Sequence, residues 1–323
     1  MTDITRRMLL AGSALAAAAT AVSIPAVAKA PPAGAQAPGV YRYKIGDYEM
    51  TALYDGVWNR KIDDKFVRNA AFPEVQKALA ESFMTSDTLA IPFTTLLVNT
   101  GSKLVFLDTG TGARLAPTSG SMGANLAAAG IDPKSVDLIV ISHFHPDHIN
   151  GIKTKDDKLA FPNAEILVPA PEWAYWMDDA KMGAAPEGLK GNFANVRRVF
   201  GDVAQDVKRY EPGAEVAPGI ATIATYGHTP GHTSFAVASG NQSMLVLSDI
   251  TNHPWLFARN PDWQPIFDMD GNMAVEARKK LLDRAAADKM LVQGYHYPFP
   301  ASGYITKTSK GYDFVPALWQ PAL

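Results

Sequence analysis

At 323 residues, with 47% hydrophobic and 19% charged side chains, the chain has the composition of a globular protein with a sizeable core. A formal net charge of -2 with no Lys/Arg cluster argues against a nucleic-acid partner. There are no cysteines, which excludes disulfides and thiolate metal ligands and leaves imidazole and carboxylate as the only strong ligands.

Residues 1–30 read as a cleaved export signal. Arg6 and Arg7 precede a mild, Ala-rich apolar run that ends in the small residues Ala26-Val27-Ala28, and the paired arginines resemble a twin-arginine signal. The bland alternative is a membrane anchor over Leu9 to Ala28, but alanine dominates that run and leucine is scarce. Residues 31–39 form a flexible lead-in, and 40–323 a single folded domain, since no linker divides them. The expected location is therefore periplasmic or secreted, with the twin-arginine export machinery as a partner and no stable membrane anchor after cleavage.

Strand patterns open the folded part, at Val40 to Tyr43 and Tyr48 to Tyr54, joined through Gly46-Asp47. Asn59 to Ala90 is less regular, with a short helix over Pro73 to Phe83, and reads as a rim. A hairpin follows, Thr94 to Asn99 and Lys103 to Asp108 across Thr100-Gly101-Ser102, then a small-residue helix near Ala124 to Ala129 stopped by Gly130. The apolar run Val136 to Ile141 predicts a buried strand. Later come a strand over Ile220 to Thr225, a hairpin of Ser234 to Ala238 with Ser243 to Leu247, a helix over Met273 to Ala287, and a strand over Lys289 to Val292. This alternation predicts an α/β fold with chemistry in the loops at strand ends.

The seven histidines are His143, His145, His148, His228, His232, His253 and His296, and none precedes residue 143. Three fall in His143-Phe144-His145-Pro146-Asp147-His148, directly after a predicted strand. His143 and His145, two apart on extended chain, can point the same way and share one ion. Asp147 and His148, beyond the turn at Pro146, can reach a second. His228 lies in a Gly/Pro turn, Asp249 ends a strand and can bridge two cations, and His296 follows the last core strand. Five histidines and two aspartates suffice for two ions. His232, four residues from His228, and Asp108, in Leu107-Asp108-Thr109-Gly110, read as supports for that set rather than ligands, and His253 is not expected to ligate.

The order HxHxDH, then Gly227-His228, the strand-end Asp249 and a final His296 resembles the metallo-β-lactamase superfamily. Within it, Leu97-Val98-Asn99-Thr100-Gly101-Ser102, Gly227-His228-Thr229-Pro230-Gly231-His232 and Lys310-Gly311-Tyr312-Asp313-Phe314 are similar to secreted methyl parathion hydrolases and related lactonases. The resemblance implies an αββα sandwich of two mixed sheets flanked by helices. It places His143, His145 and His228 on one ion, Asp147, His148 and His296 on the other, and Asp249 on both. It further implies a hydrolase whose attacking hydroxide bridges two divalent ions, Zn2+ expected and Fe, Mn or Co compatible, with Asp147 and Asp249 in catalytic roles and Asp147 steering or shuttling a proton.

The substrate is less defined. Trp58, Phe93, Trp173, Trp176, Phe193, Trp255 and Phe257 are aromatic candidates for the mouth, where packing is their commoner use. Trp176, Phe93 and Leu115 are the expected pocket residues. Arg114-Leu115 stands where the parathion hydrolases place an aromatic against the leaving group, and Asn150 replaces a usual glycine. The leading expectation is a small-molecule hydrolase of lactones and neutral esters, with phosphotriesters as a side activity. The alternatives are a main activity on organophosphates, β-lactam hydrolysis, a mononuclear iron enzyme resembling persulfide dioxygenases, and a metal-stabilised binding protein. A homodimer is left open.

Overall fold

Apolar runs in the first half of the chain become seven strands in the computed structural model, which describes residues 32–323: β1 (Val40–Ile45), β2 (Tyr48–Lys61), β3 (Thr88–Asn99), β4 (Leu104–Leu107), β5 (Leu138–Val140), β6 (Glu165–Pro169) and β7 (Lys208–Tyr210). They lie side by side in chain order, antiparallel from β1 to β4 and parallel from β4 to β7. The second half repeats the arrangement with β8 (Glu215–Ala217), β9 (Ile220–Ala224), β10 (Thr233–Ser239), β11 (Gln242–Ser248), β12 (Leu291–Gly294), β13 (Ser302–Lys307) and β14 (Tyr312–Pro316). There only the β11–β12 pair is parallel. The export signal expected over residues 1–30 lies outside the described residues.

The helices are α1 (Phe72–Glu81), α2 (Met122–Ala128), α3 (Pro146–Ile149), α4 (Ala170–Trp176), α5 (Asp179–Ala184), α6 (Glu187–Phe200) and α7 (Gly271–Ala287). Among the described residues, no helix is long and apolar enough to cross a membrane.

Strand periodicity explains the layering, because successive side chains point to opposite faces. Val98, Val105, Leu107, Leu138 and Val140 face inward and meet Phe235, Val237, Met244 and Val246 of the other sheet. Their neighbours Leu97, Phe106, Ile139 and Ile141 face outward and are covered by Leu126 of α2, Trp176 of α4 and Phe193, Val196 and Phe200 of α6. The outer face of the second sheet, Leu245, Leu247, Val292 and Ile305, is covered by Leu281, Leu282 and Ala285 of α7. Sheets buried on both faces require near-continuous apolar strands, which is what β4 and β5 are. The result is the expected sandwich of two mixed sheets between helices.

The region expected to be irregular differs. β2 runs on to Lys61 and β3 starts at Thr88, so this hairpin extends well past the other strands, with a bulge between Tyr54 and Gly56. Its outer part belongs to a separate apolar cluster with α1, in which Ile62, Leu89, Ile91 and Phe93 pack on Phe66, Leu79 and Phe257. Trp58, Asn59, Arg60 and Lys61 hide the strand from a hydrophobicity pattern because polar residues interrupt it.

Candidate metal centre

β4 and β5 are parallel, as are β11 and β12, and β9 runs in the sense of β11 because both are antiparallel to β10. Within each sheet the C-terminal ends of these strands therefore lie on one edge, the usual place for chemistry in α/β sheets. Asp108 follows β4; His143 and His145 follow β5; His148 sits on α3; His228, Asp249 and His296 follow β9, β11 and β12. Gly227 has a φ of 118°, and a Cβ there would stand 2.1 Å from the Ala274 nitrogen, so only glycine lets the His228 loop dock on α7.

The seven side chains form two groups that share one member. Donor atoms of His143, His145, His228 and Asp249 all lie within 4.8 Å of one another, and so do those of Asp147, His148, Asp249 and His296. In the first group His145 Nδ1 lies 3.1 Å from His143 Nε2 and 2.9 Å from His228 Nε2. In the second, His296 Nε2 lies 2.9 Å from Asp249 Oδ2 and 3.5 Å from Asp147 Oδ2. Five of the seven side chains are buried, His145 is partly buried and Asp147 is open to 14%.

The outward ring nitrogens fix the tautomers. His148 Nδ1 donates to Asp108 Oδ2 at 2.8 Å, His228 Nδ1 to Asp268 Oδ1 at 2.9 Å, and His296 Nδ1 to the Pro92 carbonyl at 2.9 Å. His143 Nδ1 contacts Ser142 Oγ at 3.0 Å, which donates its own proton to Asp108 Oδ2 at 2.7 Å. In its neutral form each of these four rings would aim a lone pair inward. His148 Nε2 and Asp249 Oδ1, 3.2 Å apart, are both buried without a hydrogen-bond partner. Buried lone pairs converging in this way fit cations and little else, and an imidazole and carboxylate set suits zinc and its neighbours.

The electrostatics agree. Burial raises the Asp249 pKa, but His296 and His148 outweigh it and hold the carboxyl well below its usual range. Burial opposes ionisation of Asp147 as well, and His148 and His296 again prevail. Burial, then crowding by His228, pushes His145 down to about 3, and burial with His148 holds His143 well below its usual value. Burial would also discharge His228 and His148. Asp249 and Asp268 instead bring His228 up to about 9, and Asp249 and Asp108 raise His148. The carboxylates thus draw positive charge into the cluster.

The supporting residues fall as expected in two cases. Asp108 orients His148 and accepts the Ser142 backbone N–H at 2.7 Å. His232 Nε2 accepts the Asp249 backbone N–H at 3.0 Å, which uses the lone pair a metal would need. His253 belongs to neither group. Sequence reasoning missed Glu172, fully buried on α4, whose carboxylate accepts the N–H groups of Phe144 at 2.9 Å and Gly231 at 2.7 Å and so ties the two histidine loops together. It also missed Tyr295, whose ring lies 3.9 Å from that of His148 and whose hydroxyl donates to the Asp147 carbonyl. No spacing signals either one.

A cavity of about 320 Å³ opens onto Asp147, His228, Asp249 and His296. Phe93 and Leu115 line it, together with Trp58, Ile91 and Phe267. Trp176 does not, and this corrects the expectation for that residue. It is fully buried among Phe193 and Val196, where its Nε1–H donates at 2.8 Å to Glu172, one turn earlier on α4, which holds the ring inward. Phe193, Phe257 and Trp173 also belong to packing clusters, and Trp255 borders a different surface pocket. Arg114 turns away to Asp157 Oδ1 at 3.0 Å, leaving Leu115 alone on the wall.

The family model described as the metallo-beta-lactamase superfamily matches residues 90–289. The chain belongs to the metallo-beta-lactamase superfamily. Among curated members, the N-acyl homoserine lactonase AttM of Agrobacterium fabrum is 34% identical over 131 residues, covering 38% of this chain and 44% of that protein. The N-acyl homoserine lactonase of Bacillus cereus is 25% identical over 167 residues, covering 52% of this chain and 58% of that protein. The chain thus spans about half the length of the curated relatives it matches. Solved structures align more fully. AidC, a dizinc quorum-quenching lactonase in complex with a product, is 27% identical with a TM-score of 0.82, covering 88% of this chain and 99% of that one. AbOPH, described as a hydrolase in the beta lactamase superfamily, is 28% identical with a TM-score of 0.82 over 88% of this chain and all of that one.

Proposed function

We propose that this superfamily member is a lactonase that works with two divalent metal ions. The observation that carries the reading is the pair of donor groups sharing Asp249 beneath a cavity walled partly by apolar side chains. His143, His145 and His228 would hold one ion, Asp147, His148 and His296 the other, and Asp249 both. Zinc ions held there would lower the pKa of a water and polarise the substrate carbonyl. Phe93, Leu115 and Ile91 exclude solvent and hold the apolar part of the substrate. Asp147, whose carboxylate reaches both the cluster and the cavity, takes the proton of the attacking water and passes it to the leaving alkoxide. The geometry needs no serine or cysteine nucleophile. A mononuclear iron enzyme is the weaker reading, because the second donor group is complete. The lactonase names of AttM and AidC support the substrate class.

The test is kcat/KM of the zinc-loaded protein for N-hexanoyl-homoserine lactone against methyl parathion. The lactone should be preferred. A preference for the phosphotriester would put organophosphate hydrolysis first.

A further inference from the structure

Arg60 and Asn252 are among the polar groups on the cavity wall that the metal chemistry does not use. Arg60 and Trp58 are two residues apart on β2 and both line it. The Arg60 guanidinium lies over the Trp58 ring at 4.7 Å and the Phe267 ring at 5.2 Å. Its Nε is buried without a hydrogen-bond partner, and Asp63 acts on it through charge rather than contact. On the same cavity, Asn252 is 4% exposed and its Oδ1 is buried without a partner. One is an unfilled donor on a cation fixed by two aromatic faces. The other is an unfilled acceptor. Unpaired buried groups of this kind are destabilising unless a ligand satisfies them.

We infer that Arg60 and Asn252 form a specificity subsite for a secondary amide carried by the substrate, Arg60 donating to the amide carbonyl and Asn252 accepting the amide N–H. A purely apolar mouth would hold an alkyl lactone as well as an acylamino lactone. This one leaves a donor and an acceptor open, and an amide supplies the complement of both. A site built to hydrogen-bond a group rejects ligands that lack it, because the site's own polar atoms stay unpaired. The inference rests on the lactonase reading for its substrate, but the recognition itself can be measured without turnover.

The experiment is calorimetric binding to the zinc-loaded protein of two hydroxyacids, N-hexanoyl-L-homoserine, which carries an amide, and 4-hydroxydecanoate, which does not. The same variants are then assayed on N-hexanoyl-homoserine lactone and γ-decalactone. The unaltered protein should bind the amide ligand about tenfold more tightly or better, and Arg60→Met should erase most of that preference. Arg60→Lys keeps the charge but loses the fork and should give an intermediate preference. Asn252→Leu should reduce the preference independently. Equal binding of both ligands, binding of neither, or a loss in Arg60→Met that is the same for both overturns the inference. An amide preference in binding without turnover of either lactone would refute the lactonase reading and leave the subsite standing. Turnover of both lactones without an amide preference would do the reverse.

Discussion

At the scale of single residues, the ligands depend on what holds their far side. Asp268, 1% exposed, accepts from His228 Nδ1 at 2.9 Å and from Arg278 at 2.9 Å, and Arg278 is itself buried. Asp268→Asn removes the charge that pairs both. Breaking a buried pair costs about 3–5 kcal/mol, and loss of a ligand's orienting carboxylate weakens metal binding about 10–100-fold. Thermal unfolding and zinc titration should show both losses, whereas a variant with unchanged zinc affinity would mean that Asp268 only neutralises Arg278. His232→Ala leaves the Asp249 N–H buried without an acceptor and should destabilise by about 1–3 kcal/mol while keeping the metal stoichiometry. A fall in stoichiometry would make His232 a ligand. The seven candidate ligands stand out in the sequence, four because a loop of three histidines and an aspartate has no ordinary packing role, and His228, Asp249 and His296 only through their place in the whole set. Glu172 does not, since a lone acidic residue in a stretch with no readable helix carries no sign of burial.

At the scale of elements, the long β2–β3 hairpin decides what stands over the donor groups. Its bulge places Gly56 at a φ of 126°, where a Cβ would lie 2.2 Å from the Thr118 carbonyl oxygen. Next to it, buried Asp55 accepts from the Thr111 N–H at 2.7 Å and the Met122 N–H at 2.8 Å, fixing the loop that carries Leu115. Gly56→Ala is therefore expected to cost about 1–3 kcal/mol through strain alone, and to raise KM more than it lowers kcat as the Trp58, Arg60 and Leu115 walls shift. Denaturant unfolding and steady-state kinetics check the two halves separately. The hairpins and α7 could be read from periodicity and turn residues. α4, α5 and α6 could not, because Pro171 and Pro186 break that stretch into short pieces whose apolar faces make sense only against the outer face of the first sheet. The same gap misplaced Trp176, which looks like a mouth residue until its helix is docked.

At the scale of the whole molecule, the two sheets meet through a shared apolar interior, and the donor groups draw on loops from both. Ions at those groups would therefore join the two halves of the sandwich as well as serve chemistry. Chelation should lower the unfolding temperature, on the order of 10 °C at saturating metal, with recovery on adding zinc back. The layering was legible because strands buried on both faces are nearly continuous in apolar residues. The order of the helices against them was not, because burial alone does not say which face each helix covers. We further propose that residues 1–30 direct export; cell fractionation that leaves the full-length chain in the cytoplasm would contradict it.

The central claim is that Asp249 is shared between two ions. The most direct measurement is the metal content of the purified 40–323 domain and of Asp249→Ala, with both proteins shown to be folded. Two ions per chain, falling to one or fewer in the variant with loss of lactone turnover, is the expected result. One ion per chain, or a variant that keeps both ions and its rate, would contradict the account.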